Sequence, residues 1–279
     1  MATEITAPIA MLHDVSKCSG CRACMVACKQ WKDLPADPTP FDGQFQSHKE
    51  LSPKTYNLLI MKEYYRHGRL DWNFLKYQCM HCGDATCIKA CPSKALYKSD
   101  SGAVLLDEAK CVGCGYCEAY CQYQVPKIDK ERKKSTKCNF CIDRVENGME
   151  PSCSKICVTD CISFGSLEDM QAKAEARLLV LKKDFPMANL YNVRPNNGIL
   201  GANMMYILTD APATYGLLED PKIPLSITLT GGAVPEVPEG GLGAKVSPVH
   251  TAFAGVVVGA AVGAGVVLSS KLSKETIDE

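Results

Sequence analysis

The sequence lacks a net charge, because its 31 lysine and arginine residues are balanced by 31 aspartate and glutamate residues among 279. Nothing therefore indicates a nucleic-acid partner. The chain has no glycine-rich phosphate loop and no Rossmann fingerprint, and no constellation of serine, histidine and carboxylate indicates catalysis. The amino terminus shows neither an apolar signal region nor a twin-arginine pair, so we expect no export signal in this sequence.

Cysteine, by contrast, is abundant, and sixteen of the 17 cysteines fall into four tight runs. The runs are Cys18-x2-Cys21-x2-Cys24-x3-Cys28, Cys79-x2-Cys82-x4-Cys87-x3-Cys91, Cys111-x2-Cys114-x2-Cys117-x3-Cys121 and Cys138-x2-Cys141-x11-Cys153-x3-Cys157. Three close thiolates followed by a fourth form the pattern with which a bacterial ferredoxin holds [4Fe–4S] clusters, the fourth cysteine reaching the neighbouring cluster. Sixteen such ligands predict four clusters and therefore a chain that conducts electrons.

Three other uses of cysteine fit these runs less well. A disulfide scaffold is typical of short secreted chains, and this chain is far longer. Structural zinc favours well-separated Cys-x2-Cys pairs, and a redox-active dithiol needs only one pair. The seventeenth cysteine, Cys161, is interpreted as a small buried apolar residue, the alternatives being a spare ligand or a redox-sensitive thiol.

An internal repeat organises the runs, since the pattern of Lys17–Cys28 returns in Lys110–Cys121. The second and fourth runs resemble each other more loosely, and together the runs predict two ferredoxin-like modules in a loop-rich α+β fold. Short strands are predicted at residues 103–106 and 162–164. A helix is predicted to begin after Ser166 and to run to about residue 183.

The rest of the chain divides by composition into further segments. The first predicted segment is a four-cluster domain at 1–168, which contains a polar insertion at 32–77. It is followed by a helix and extended docking segment at 169–230, which is expected to be mostly loop from 186 to 225. The remaining predicted segments are a Gly/Pro-rich linker at 231–249, a transmembrane helix at 250–270 and a tail at 271–279.

The predicted transmembrane helix rests on the absence of charge in residues 251–270. About 20 residues of helix cross a bilayer, whereas a buried core helix of this length behind a flexible linker is a weaker alternative. Glycines spaced four apart, at Gly255, Gly259 and Gly263, leave room for a partner helix on one face. Because Lys271 and Lys274 follow the span, the tail is expected in the cytoplasm and the cysteine domain on the periplasmic or outer face.

Several motifs around the cysteines resemble a known family. They are Asp14-Val15-Ser16-Lys17-Cys18, the stretch from Gln78 to Asp84, the stretch from Lys137 to Cys153, and, further on, Met205–Leu208, Tyr215–Leu217 and Pro221. The sequence resembles the iron–sulfur (beta) subunits of respiratory formate dehydrogenases, within the four-cluster ferredoxin-like electron-transfer subunits of molybdopterin oxidoreductases.

The resemblance implies how the ligands are shared among four [4Fe–4S] clusters. The implied sets are Cys18, Cys21 and Cys24 with Cys157; Cys138, Cys141 and Cys153 with Cys28; Cys79, Cys82 and Cys87 with Cys121; and Cys111, Cys114 and Cys117 with Cys91. It also implies two protein partners in anaerobic respiration, a catalytic subunit with a molybdenum or tungsten bis-pterin site and a membrane cytochrome b that reduces quinone. In many members the catalytic subunit's twin-arginine signal exports the folded complex.

The implied function is electron transfer without catalysis on this chain. Electrons from formate would pass through the four clusters to the membrane cytochrome. The equivalent subunit of a membrane hydrogenase or of another molybdopterin reductase is the closest alternative. A redox or oxygen sensor is a different class, and it would need one labile cluster and an output domain, neither of which the sequence contains.

Overall fold

The computed structural model describes residues 7–224, apart from residues 42, 44 and 67, together with Ile227. Its strands are β1 (Ile9–Asp14), β2 (Leu58–Arg66), β3 (Arg69–Tyr77), β4 (Leu96–Lys98), β5 (Val104–Leu106), β6 (Lys127–Asp129), β7 (Lys134–Thr136), β8 (Ile162–Ser166), β9 (Asn189–Tyr191) and β10 (Met204–Leu208). Its α-helices are α1 (Ala23–Trp31), α2 (Thr86–Lys89), α3 (Tyr116–Tyr120), α4 (Ile142–Val145), α5 (Ser152–Lys155) and α6 (Leu167–Leu181). Two 3₁₀ turns are at Val15–Lys17 and Pro212–Tyr215.

A four-stranded sheet in the order β8-β1-β10-β9 forms the centre of the fold. β1 runs parallel to β10, with Met11 opposite Met204, and antiparallel to β8, with Met11 opposite Phe164. Every residue of β1 is buried. A strand covered on both faces needs an almost continuous apolar run, and the sequence of β1 supplies one.

The two faces of this sheet pack against different parts of the chain. Ala10 and Leu12 of β1 contact Met170 and Ala174 of α6 in one apolar core. Because side chains alternate along a strand, Met11 points to the opposite face, into a second core that includes cysteines of the first, second and fourth runs. The sheet therefore supports the cysteine-bearing loops on one side and α6 on the other.

Three antiparallel two-stranded ribbons, β2–β3, β4–β5 and β6–β7, complete the described fold. The long β2–β3 ribbon precedes the second cysteine run, β4–β5 lies between the second and third runs, and β6–β7 lies between the third and fourth. The short helices α1, α2, α3 and α5 each carry a cysteine ligand candidate or lead to one. The mixed α/β, loop-rich character predicted for this region is confirmed.

Three local predictions, two strands and one helix, are confirmed. Strands occur at Val104–Leu106 and Ile162–Ser166. Helix α6 begins after Ser166, whose hydroxyl accepts a hydrogen bond from the Asp169 N–H at 3.1 Å. This cap satisfies a backbone donor that the first helical turn leaves free.

Two strand regions were not predicted. Residues 186–225 are mostly loop, as expected, but they also contain β10, which is buried throughout and lies in the middle of the sheet. The polar, aromatic-containing insertion at residues 32–77 contains the nine-residue strands β2 and β3, which pair with each other. β10 is a strand because of long-range pairing with β1, whereas β2 and β3 form a local hairpin.

The predicted linker at 231–249, transmembrane helix at 250–270 and tail at 271–279 lie outside the described residues. Among the residues that the structure does describe, no helix is long and apolar enough to cross a bilayer. The segment boundaries drawn from the sequence stay a prediction.

Candidate iron–sulfur sites

The sixteen cysteines of the four runs come together as four groups, which we name by their members. Site 1 is Cys18, Cys21, Cys24 and Cys157; site 2 is Cys28, Cys138, Cys141 and Cys153; site 3 is Cys79, Cys82, Cys87 and Cys121; site 4 is Cys91, Cys111, Cys114 and Cys117. None of the 17 cysteines forms a disulfide bond. Sites 1 and 4 each bring four of these thiols around one cavity, and the division of the sixteen ligands among four clusters stays a prediction.

Sites 1 and 4 each surround a cavity. All four thiols of site 1 line one cavity together with Cys161, His13 and Lys76. All four thiols of site 4 line another, together with Gly113 and the apolar side chain of Ile128. Four convergent thiols around an interior space form the donor set that a cubane requires, one thiolate for each iron.

In sites 2 and 3 the grouping is seen in how the thiols affect one another. The pKa of Cys28 is raised to about 12, mainly by burial and in part by the neighbouring thiolates of Cys153 and Cys141. Burial also raises the pKa of Cys87 well above its ordinary value, with further contributions from the Cys121 and Cys79 thiolates. Electrostatic coupling of this kind requires the sulfur atoms to lie close together.

Left-handed backbone turns shape the loops of all four runs. The residues that adopt positive φ include Gly20 at 73°, His81 at 49°, Gly113 at 69° and Phe140 at 60°. Such turns direct successive backbone N–H groups into one concavity, which stabilises an anion. The spacing of two residues between cysteines therefore supplies the hydrogen-bond donors that an anionic cluster needs.

Several N–H groups already point at ligand sulfurs. Ser135 N–H donates to Cys111 Sγ at 3.4 Å, and Ala95 N–H donates to Cys91 Sγ at 3.3 Å. The Ser135 hydroxyl lies 3.2 Å from Cys117 Sγ. Hydrogen bonds to cluster sulfurs are one of the means by which a protein sets reduction potential.

The donor chemistry of these sites fits [4Fe–4S] clusters. Burial raises the pKa of Cys24 to about 11 and that of Cys117 to about 12, so these buried thiols are protonated at neutral pH before iron binds. Iron binding releases those protons, because a thiolate is the ligand form. Soft thiolates in sets of four select iron–sulfur clusters or zinc, and the sharing of ligands between runs is typical of ferredoxins.

Lys76, on β3, is a charged residue with no exposed surface. Burial lowers its pKa, but the thiolates of Cys153 and Cys24 outweigh burial and raise the pKa above its ordinary value. Its Nζ donates a hydrogen bond to Gln78 Oε1. Lys76 therefore places a fixed positive charge between sites 1 and 2, where it compensates the negative charge of both.

His81 and Lys137 lie beside site 3. His81 is fully buried, and burial lowers its pKa well below 6.5, so the ring is neutral. Its Nδ1 accepts a hydrogen bond from Val104 N–H at 2.9 Å, which makes it a structural link between the second run and β5. Lys137 is also buried, and its Nζ donates to the carbonyl of Cys138 at 3.0 Å.

His13, on β1, is a second buried polar residue at a site. A ring nitrogen of His13 and the Sγ atoms of Cys18 and Cys161 all lie within 4.8 Å of one another. A hydrogen bond with Cys18 and burial together raise the pKa of Cys161 to about 12. Cys161 is buried in the hydrophobic core, as expected, and its sulfur also lies beside the ligand candidates of site 1.

The sequence did not reveal Lys76 or His13. Lys76 occupies a strand that reads as polar, and His13 interrupts an apolar run by a single residue. The one available signal was that His13 directly follows an apolar run, Ile9–Leu12, because an imidazole buried with such a run needs a polar neighbour.

Comparison with known proteins identifies the domain type. Residues 17–95 and residues 70–167 each match a family of 4Fe-4S dicluster domains. These two matches include all four cysteine runs and support iron–sulfur clusters at the sites described above.

Similarity to individual proteins extends over most of the chain. The chain is 39% identical over 236 residues to the iron–sulfur subunit of the nitrate-inducible formate dehydrogenase of Escherichia coli strain K12, covering 83% of this chain and 79% of that protein. It is 40% identical over 227 residues to the formate dehydrogenase iron–sulfur subunit of Haemophilus influenzae, covering 79% and 72%. It is 36% identical over 222 residues to formate dehydrogenase 2 subunit beta (cytochrome c-553) of Nitratidesulfovibrio vulgaris, covering 75% and 96%. The chain therefore belongs to the family of formate dehydrogenase iron–sulfur subunits.

Proposed function

We propose that this chain carries electrons from formate through four [4Fe–4S] clusters, one in each of sites 1 to 4. The donor is a catalytic subunit with a molybdenum or tungsten bis-pterin centre, and the acceptor is a membrane cytochrome b that reduces quinone. The family membership supports the formate dehydrogenase complex. The four sets of four convergent thiols support the number of clusters.

The observation that carries the proposal is that the sites follow one another without a gap. The Cys153 thiolate of site 2 raises the pKa of Cys24 in site 1, where burial is the main cause. Likewise the Cys79 thiolate of site 3 contributes to the raised pKa of Cys138 in site 2. Sites 3 and 4 share a hydrophobic core that contains Cys117. These neighbours support the order 1-2-3-4, a row suited to stepwise electron transfer.

A [4Fe–4S] cluster supplies one-electron chemistry when it is bound. The protein's own contribution is to hold each set of thiols, to fix the order of the sites and to set the local charge. Lys76 between sites 1 and 2, and the N–H···S hydrogen bonds at site 4, are the charge-setting features described above.

We further propose that residues 250–270 anchor the subunit in the cell membrane beside the cytochrome. The uncharged run in residues 251–270 and the glycines at 255, 259 and 263 support a single span that packs against a partner helix. The lysines that follow the span favour a cytoplasmic tail and a cluster domain on the periplasmic or outer face.

Isolation of the intact complex tests the proposed function. Membranes would be solubilised in mild detergent, and the complex that contains this chain would be assayed for formate-dependent and hydrogen-dependent viologen reduction. We expect formate activity together with a large pterin subunit. Hydrogen activity, or activity only towards another reductase substrate, would retain the electron-transfer role and overturn the assignment to formate dehydrogenase.

Replacing Lys76 by methionine should make the reduction potentials of the clusters in sites 1 and 2 more negative. The reduced cluster carries one more negative charge, and Lys76 stabilises that charge from a fully buried position. At an effective dielectric constant of about 20 and a separation of about 6 Å, the interaction is about 3 kcal/mol, or on the order of 100 mV. Redox titration followed by electron paramagnetic resonance (EPR) measures the shift.

Lys89→Met provides the control for this prediction. Lys89 is the last residue of α2 and lies in the sequence between Cys87 and Cys91. Its side chain is 42% exposed and forms an ion pair with Asp84 at 2.6 Å. Solvent screens an exposed charge, so its removal should leave the potentials nearly unchanged. Equal shifts in the two variants would show that Lys76 has no special role.

A further inference from the structure

Site 1 has more sulfur atoms than one cluster uses. Its cavity is lined by four cysteines of the runs and also by Cys161. Cys161 Sγ lies 3.3 Å from Cys157 Sγ, and it lies within 4.8 Å of Cys18 Sγ. The thiol of Cys161 is therefore a fifth thiol at the site 1 cavity, and it lies beside the thiol of Cys157.

The backbone fixes Cys161 in this position. Asp14 N–H donates to the Cys161 carbonyl at 2.8 Å, at the point where β8 begins to pair with β1. Cys161 is only 4% exposed, whereas Cys157 is partly exposed and is followed by Val158, which is 74% exposed. The fifth thiol is thus held by the central sheet, while Cys157 belongs to a loop at the surface.

A buried imidazole provides a second, independent observation at this cavity. His13 has no exposed surface, and no nitrogen or oxygen atom within the described part of the chain forms a hydrogen bond with its ring nitrogens. One of those nitrogens lies within 4.8 Å of the sulfurs of Cys18 and Cys161. An unpaired buried polar group is costly, so the ring requires a partner in the cavity.

The corresponding position is not a thiol at the other three sites. The residue four positions after the final cysteine of each run is Lys32 after Cys28, Ala95 after Cys91 and Val125 after Cys121. Site 1 alone among the four has a cysteine there, namely Cys161 after Cys157. The other sites therefore provide natural comparisons.

We propose that Cys161 is a reserve ligand of site 1, able to bind the iron otherwise held by Cys157. His13 lies beside Cys161 as the polar partner of its thiolate in this buried place. The inference rests on the assignment of an iron–sulfur cluster to site 1, and it assigns Cys161 a role that differs from that of a buried apolar residue.

The exchange balances without any oxidant or reductant. The Fe–S bond to Cys157 breaks and the Fe–S bond to Cys161 forms. The proton of the Cys161 thiol passes to the Cys157 thiolate, and the two sulfurs are 3.3 Å apart, within hydrogen-bond reach for sulfur. The charge of the site and the oxidation state of iron do not change.

The first test compares alanine variants of two cysteines that each end a run, Cys157 and Cys121. Four residues after Cys157 lies the thiol of Cys161, whereas four residues after Cys121 lies Val125. The complex would be purified anaerobically with Cys157→Ala, with Cys121→Ala and with Cys157→Ala combined with Cys161→Ala. We expect Cys157→Ala to retain the parental iron content and EPR signals. Cys121→Ala should lose iron, up to one whole cluster, because the residue four positions later is Val125 and offers no thiol. The double variant should lose a similar amount of iron.

Two outcomes of this test overturn the proposal. One is that Cys157→Ala loses as much iron as Cys121→Ala, or fails to assemble when Cys121→Ala assembles. The other is that the double variant retains as much iron as Cys157→Ala. A parental complex without iron would instead refute the assignment of clusters to these sites, so the two failures are distinguishable.

A second measurement decides the question if none of the ligand variants assembles. Cys161→Ala and Val125→Ala remove buried side chains at equivalent positions and leave all sixteen ligand candidates in place. During incubation with an iron chelator, we expect one cluster to lose its iron several-fold faster in Cys161→Ala than in the parent, because a released iron has no second thiol to bind. Equal rates in Cys161→Ala, Val125→Ala and the parent would overturn the proposal.

Discussion

Replacing Cys111 by alanine is expected to remove or convert the cluster of site 4 and to interrupt electron flow from formate to quinone. Cys111 lines the site 4 cavity and accepts a hydrogen bond from Ser135 N–H, and among the described residues no thiol beyond the four of the site lines that cavity. Loss of an outer-shell partner of a metal site costs about 10- to 100-fold, so loss of a ligand should lower turnover by more than about 100-fold. Iron content, EPR spectra and formate-to-quinone turnover measure the effect.

Val112→Ala is the matched control in the same loop. Val112 follows Cys111 directly and lines the same cavity, but it is 64% exposed, so its truncation removes no ligand and little buried surface. Its iron content and turnover should equal those of the parent. Parental iron content and turnover in Cys111→Ala would show that this thiol is not a ligand and that site 4 is not part of the conducting row.

Among glycine-to-alanine substitutions near site 4, Gly113→Ala should cause the largest loss of stability. Gly113 has φ of +69°, and a Cβ there would lie 2.4 Å from the backbone carbonyl oxygen of Lys133, which cannot rotate away as a side chain could. Strain in the left-handed region costs about 1–2 kcal/mol, and overpacking costs about 1–3 kcal/mol more. The midpoint of thermal bleaching of the cluster absorbance should fall accordingly.

Gly115→Ala separates the two causes of this loss. Gly115 lies in the same loop with φ of +86°, but a Cβ there would meet no atom within 4 Å. It should show only the backbone strain, about 1–2 kcal/mol. If both variants bleach at the same temperature, the close approach between the third run and the β6–β7 ribbon does not contribute to stability.

The sequence predicted the features of this molecule that depend on neighbouring residues. The spacing within the cysteine runs identified the donor set, and the serine before α6 together with the acids after it identified the start of that helix. Family resemblance, rather than spacing, supplied the grouping of cysteines from different runs. Spacing alone could not supply it, because the thiols of site 1 come from positions as distant as Cys24 and Cys157.

Two features that the sequence did not predict, β10 and the burial of Lys76, depend on distant contacts. β10 is a strand because β1 and β9 pair with it on its two sides, and its five residues carry no local signal stronger than an apolar run. Lys76 reads as a surface residue, since a lysine is rarely buried without a partner. Only the thiolates of sites 1 and 2, which come from other segments, make its burial favourable.

The position of β1 in the central sheet has a consequence for the way the chain folds. Met11 pairs with Met204, so the parallel pairing joins residues at opposite ends of the described chain. Pairings between such distant residues require long loops to close and are slow to form. During synthesis, the segment that carries the first cysteine run must wait for β10 to leave the ribosome before the sheet can close over it. The ligands that the ribosome makes first are thus among the last to be enclosed by the central sheet.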